Sequence, residues 1–138
     1  MTDIGLLVLR AVLGLIFMAH GSQKTFGWFG GPGPKGTAGF VGGMGFKPAW
    51  FWAALVAYGE FLGGVSVLLG LATPLGALLI VSSMTVAIAK VHWTKGFWLA
   101  NGGYEFNLIL IAAAVAVALV GPGSWSLDHV WGIALLGR

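Results

Sequence analysis

No cysteine occurs in the sequence, which excludes disulfides, thiolate nucleophiles, iron–sulfur clusters and Cys-ligated zinc in any compartment. Redox chemistry, if the chain takes part in it, belongs to a bound molecule. Charge is scarce as well: only 8% of the 138 residues are Asp, Glu, Lys or Arg, where a soluble domain carries roughly a quarter. The seven bases are spread along the chain rather than gathered into a stripe, so nucleic acid is excluded as a partner. The apolar runs lack period-2 alternation, which argues against a transmembrane barrel. The first run follows Met1-Thr2-Asp3 with neither a basic flank nor a small-x-small cleavage site, so it is read as a retained helix rather than a signal peptide.

What is there is hydrophobic. Apolar residues make up 58% of the chain and the mean hydropathy is +0.94, the composition of a protein whose main solvent is lipid. Four runs approach the length needed to cross a hydrocarbon core of ~30 Å, at about residues 4–21, 49–71, 74–91 and 104–120. Gly70-Leu71-Ala72-Thr73-Pro74 supplies a helix stop and a restart between the second and third, and Gly121-Pro122-Gly123 ends the fourth. The predicted fold is all-α: one domain over residues 1–138, an antiparallel four-helix transmembrane bundle with a Gly-rich first loop and a short interfacial helix after Ser126. That first loop, Gly21 to Gly45, holds Gly30-Gly31-Pro32-Gly33-Pro34, a composition that breaks helix and strand alike.

Tryptophans fit two interfacial belts. Trp28, Trp50, Trp52, Trp93 and Trp98 fall on the side of loops 1 and 3, here called side B, and Trp125 and Trp131 on the opposite side A. Lys24, Lys35, Lys47, Lys90 and Lys95 lie on side B against Arg138 and Arg10 toward side A, so the positive-inside rule favours a cytoplasmic side B. The bias narrows if Lys24 and Lys90 serve a site.

Ionisable groups inside spans cost about 2.5–3.5 kcal/mol each on insertion scales and are usually held against a partner or a wet cavity. Arg10, Glu60 and Glu105 are such groups. On the first helix Arg10, His20 and Lys24 lean to one side, together with Gly14 and Gly21, small residues that admit a close neighbour. Glu60 shares a face with Gly63 and Gly64, and Gly59 and Gly63 form a G-x-x-x-G pair, so Glu60 is expected to point inward. Counting ~1.5 Å per residue from side A puts Arg10 about 9 Å and Glu60 about 16 Å deep, so an Arg10–Glu60 pair is expected, with Asp128 as the rival partner for Arg10. Such a pair reads equally as neutralisation of two buried charges or as part of a binding site.

At side B the helix ends bring together His20, Lys24, Lys90, His92, Tyr104 and Glu105, with Asn101 and Asn107 nearby. This set can donate hydrogen bonds to two carbonyl oxygens, exchange protons through His or Glu and stack a flat ring, which is what a quinone headgroup requires. Snorkelling to the interface explains Lys90 and Lys95 as well, and His20 and Glu105 less well because their side chains are short. The candidate binding residues are Arg10, His20, Lys24, Glu60, His92, Tyr104 and Glu105. No metal is expected: His20, His92, Glu60 and Glu105 offer ligand atoms, yet no H-x-x-x-H or E-x-x-H pair sits on one helix. The loop glycines lack the G-x-x-x-x-G-K-S/T pattern of a phosphate cradle.

Taken in order, four segments resemble the DoxX family. Arg10 to Lys24 reads R-A-V-L-G-L-I-F-M-A-H-G-S-Q-K; Tyr58-Gly59-Glu60-Phe61-Leu62-Gly63-Gly64 follows; Gly103-Tyr104-Glu105 opens the last span, and Gly121-Pro122-Gly123-Ser124-Trp125-Ser126-Leu127-Asp128 closes it. The resemblance spans nearly the whole chain. It implies a small four-helix protein of the bacterial inner membrane, similar to the small subunit of an archaeal thiosulfate:quinone oxidoreductase. It carries over to Arg10, His20, Gly21, Lys24, Glu60, Gly63, Gly64, Tyr104, Glu105 and Asp128.

Three functions remain open on this reading. The first is a multi-pass membrane protein that binds a quinone or a similar lipophilic aromatic as part of a membrane redox system. His20, Lys24 and Glu105 would contact the ligand, and Arg10 and Glu60 would set the electrostatics of the cavity. The second is a non-catalytic anchor or assembly subunit of an oxidoreductase complex, with loops 1 and 3 as docking surfaces. The third is a small transporter, which four helices would support only as a homo-oligomer.

Overall fold

Nothing in the first apolar run breaks a helix before Gly27, whose φ of 74° ends it. In the computed structural model, which describes residues 1–136, this run forms α1 (Thr2–Thr25), longer at both ends than expected. Its last turn is closed by Ser22 Oγ donating to Ala19 O at 2.8 Å and by Phe26 N donating to Ser22 O at 2.9 Å. Lys24 therefore sits within the helix, one turn beyond His20. No strand occurs among the described residues.

The expectation of an irregular first loop is corrected. After a short 3-10 turn at Trp28–Gly30, residues Gly33–Gly43 form a helix, α2. Pro34 is tolerated because it falls in the first turn, where an amide N–H would have no partner in the helix. Thr37 Oγ1 donates to Gly33 O at 2.7 Å. Thr37 and Val41, four residues apart, are buried on one face against the bundle. Tertiary packing of that face outweighs the poor intrinsic helix propensity of the glycines.

Pro48 precedes α3 (Ala49–Leu69), and Gly70, at φ 64°, ends it. The chain reverses within three residues into α4 (Thr73–Ala87), which opens with a first-turn proline. Ser66 Oγ bridges this turn by donating to Leu71 O at 2.6 Å. Past Ala87 the helix loosens into a π turn, Ile88–His92, and two 3-10 turns before α5 (Glu105–Val120). One further helical turn, α6 (Leu127–Val130), is capped by Ser126, whose Oγ accepts from His129 N at 3.2 Å. Three segments are long and apolar enough to cross a membrane, Thr2–Thr25, Ala49–Leu69 and Thr73–Lys95; Glu105–Val120 is a shorter apolar helix. Arg138, invoked above for orientation, lies outside the described residues.

Lipid tails are as apolar as leucine, so helices in a membrane associate by close packing more than by expelling water. Small residues provide it here. A Cβ on Gly14 would lie 2.7 Å from Gly64 O, one on Gly64 would lie 2.6 Å from Met18 N, and one on Gly21 would lie 2.6 Å from Phe61 Cα. Gly63 faces the other way, toward Gly76 O and Leu79 of α4. Gly14 thus stands opposite Gly64 and Leu68 while Gly21 stands opposite Phe61, so α1 and α3 run antiparallel. Leu13, Phe17, Val67, Ala77, Ile80, Leu110 and Ala114, drawn from α1, α3, α4 and α5, close the core.

Candidate functional site

The register of α1 on α3 decides which charges meet. Glu60 lies one residue before Phe61 and so stands level with the Gly21–Lys24 turn, whereas Arg10 is roughly 18 Å away along the axis, twelve residues at ~1.5 Å. The expected Arg10–Glu60 pair is therefore corrected. The expectation takes the two helices as level at side A, whereas α1 projects beyond the end of α3 there, with Gly14 opposite Gly64 and Leu68. Glu60 instead takes Lys24, with Nζ 2.5 Å from Oε2, and accepts from Ser83 Oγ of α4 at 2.7 Å through Oε1. The Glu60 side chain is 4% exposed and that of Lys24 26%. A carboxylate this far from water needs both partners, because an unpaired charge in the apolar interior is penalised by several kcal/mol.

This triad faces a cavity of about 340 Å³ between α1, α2, α3, α4 and α5, at the lower end of the usual range for small-molecule sites, roughly 300–1,000 Å³. Its walls are mainly apolar, including Phe17, Val56, Met84 and Leu110. Four of the residues singled out in the sequence line it: His20, Lys24, Glu60 and His92. The His20 ring has no hydrogen-bond partner among the described residues, although the side chain lines the cavity. His92 is placed by the π turn and its Nδ1 is 2.6 Å from Gly102 O. A carbonyl only accepts, so Nδ1 carries the proton and Nε2 is the nitrogen left to exchange one. Asn107, buried at the start of α5, donates to Met84 Sδ at 3.4 Å, and its amide oxygen has no protein partner among the described residues.

The other three predicted residues lie elsewhere. Tyr104 stacks on Trp93 with ring centroids 5.5 Å apart, and Glu105 Oε1 accepts from Leu99 N at 2.8 Å. With Tyr104 N donating to Gly96 O and Glu105 N to Phe97 O, they knit the loop before α5 and stay outside the cavity lining. Arg10 is fully buried at side A. It donates through Nη1 to Val67 O and Leu68 O at 3.4 and 3.2 Å and through Nη2 to Trp125 O at 2.6 Å. These are carbonyls at the end of α3 and in the tail, and a guanidinium near a helix C-terminus also meets the negative end of the helix dipole. Asp128 makes no ion pair with Arg10. It accepts from Ala72 N at 2.7 Å, Thr73 N at 3.0 Å and Thr73 Oγ1 at 2.7 Å, which caps α4.

The sequence reading missed Thr37, Phe40 and Val41 of α2, Met44 just past its end, and Ser83 and Met84 of α4, all of which line the cavity. The α2 set follows the i, i+3, i+4, i+7 spacing of a helix face, a signal hidden by the surrounding glycines. Ser83 carried no such signal.

A model of the DoxX family matches residues 5–93. Among curated proteins, the chain is 34% identical to "Putative oxidoreductase CatD" of Bacillus subtilis, over 91% of this chain and 86% of that one. It is 30% identical to an uncharacterized membrane protein of Mycobacterium tuberculosis, over 88% and 77% respectively. It is 27% identical to the inner membrane protein YqjF of Escherichia coli, over 93% and 92%. No solved structure matches.

Proposed function

The chain belongs to the DoxX family of membrane proteins, and we propose that it binds a quinone or a closely similar lipophilic molecule in the cavity between its helices, as part of a redox system of the bacterial inner membrane. The observation that carries this reading is the Lys24–Glu60–Ser83 triad held at the wall of a mainly apolar cavity. Lys24 is a donor for a ligand oxygen, and Glu60 and the two histidines are groups through which a proton taken up on reduction can pass. His92, with its Nδ1 proton committed to Gly102, leaves Nε2 as an acceptor for a hydroxyl of the reduced ligand. Without cysteine the chain supplies binding and proton exchange, and electrons come from a partner. The name carried by the Bacillus subtilis relative agrees with an oxidoreductase setting.

The test is to purify the protein in mild detergent and identify the lipophilic molecules that co-purify, beside Glu60→Gln. A stoichiometric quinone in the wild type, lost from the variant, is the expected result. An empty cavity in both, with added quinone failing to bind, overturns the reading and favours an anchoring subunit.

A further inference from the structure

The cavity is graded from floor to mouth. Phe17 and Glu60, at 1% and 3% exposure, are among its most buried lining residues, whereas five lining residues are exposed: His20, Phe40 of α2, Val86 of α4, Leu99 and Phe106 of α5. A mouth that opened only to water would be expected to be mostly polar, and four of these five are apolar. Val86 lies within the membrane-crossing segment Thr73–Lys95. It is seven residues, roughly 10 Å, short of Trp93, an exposed tryptophan of the kind that marks the interface. Val86 thus places one edge of the mouth at hydrocarbon depth. Charge inside the cavity is balanced: Lys24 and Glu60 neutralise one another, and the other titratable groups in the lining are His20 and His92. An anionic or cationic head would have to break that pair, whereas a neutral head with oxygen acceptors meets Lys24 without doing so.

We propose that the cavity takes its occupant sideways from the bilayer, past Phe40 and Phe106, and that this occupant has a neutral head and an apolar tail that stays between those rings. The inference rests on the cavity being the binding site proposed above and adds the route of entry, the charge of the head and the seat of the tail. Phe40 and Phe106 are then specificity residues for the tail, with no part in holding the head.

The experiment compares two probes in nanodiscs at equal mole fraction of lipid: a tail-less dimethoxy-methyl-benzoquinone and its decyl-tailed counterpart, with dodecanoate as a charged-head competitor. The decyl probe should bind at least about tenfold more tightly than the bare ring. That advantage should fall several-fold in Phe40→Ala and Phe106→Ala while binding of the bare ring is unchanged, and dodecanoate should not displace either probe. Ring binding without a tail advantage, an advantage untouched in both variants, or displacement by dodecanoate overturns this inference and leaves the proposed function standing. Failure of both probes to bind the wild type overturns both.

Discussion

Lys24 Nζ lies 2.5 Å from Glu60 Oε2, tying the last turn of α1 to the middle of α3 beside the cavity. Removing one partner leaves the other charged in a poorly solvated place, whereas removing both leaves none. Lys24→Met should destabilise the protein by about 3 kcal/mol near neutral pH, and Lys24→Met/Glu60→Met should recover most of the loss. Thermal unfolding in detergent across a double-mutant cycle checks this; equal losses in the single and the double variant would refute it.

Ser83 holds the other oxygen of the same carboxylate at 2.7 Å. Ser83→Ala should cost about 1.5 kcal/mol and shift the carboxylate stretching bands of Glu60 in isotope-edited infrared spectra. Ser83→Thr, which restores a hydroxyl, should bring back both. A spectrum unchanged in Ser83→Ala would remove Ser83 from the site.

Gly21 allows the backbone of α3 to approach α1, since a Cβ there would come within 2.6 Å of Phe61 Cα. Backbone cannot swing aside as a flexible side chain can, so Gly21→Ala should lower stability by about 1–3 kcal/mol. Gly5, which has open space around it, is the control: Gly5→Ala should be neutral or stabilising by up to about 1 kcal/mol. Thermal melting of the two variants side by side distinguishes a contact effect from a general effect of adding a methyl group.

Arg10 and Asp128 hold the side-A end together through backbone groups, far from the cavity. Arg10→Lys keeps the charge but loses the planar fork that reaches Val67 O, Leu68 O and Trp125 O. Asp128→Asn loses the charged acceptor at the start of α4. Each should cost about 1–2 kcal/mol and leave the affinity of the folded protein for a quinone probe unchanged. A large loss of affinity at undiminished stability would return Arg10 to the binding site.

The helical class, the main spans and the inward-facing Glu60 were legible because each depends on local sequence. Apolar length sets the spans, Gly70 with Pro74 divides two helices, and Gly63 beside Gly64 marks a face that packs against protein. The candidate site was legible only in part. His20, Lys24, Glu60 and His92 converge on the cavity, but Tyr104 and Glu105, near them in any helix-end diagram, are spent on the loop before α5. The pairing error at Arg10 has one cause, the assumption that helix ends are level. Matching Gly14 to Gly64 across the interface would have corrected it, since close approach of two glycines is a strong constraint on register.

By itself the sequence determined that this is a cysteine-free membrane protein built from apolar helices, because composition and run length alone decide whether a chain can meet lipid with its backbone bonds satisfied. Tertiary structure decided which acid meets which base, that a glycine-rich stretch becomes the helix walling the cavity, and that Arg10 and Asp128 bond to groups at the end of α3 and the start of α4. Those outcomes depend on axial register and on packing between distant segments, where a shift of a few residues along a helix moves a charge by more than the reach of a hydrogen bond.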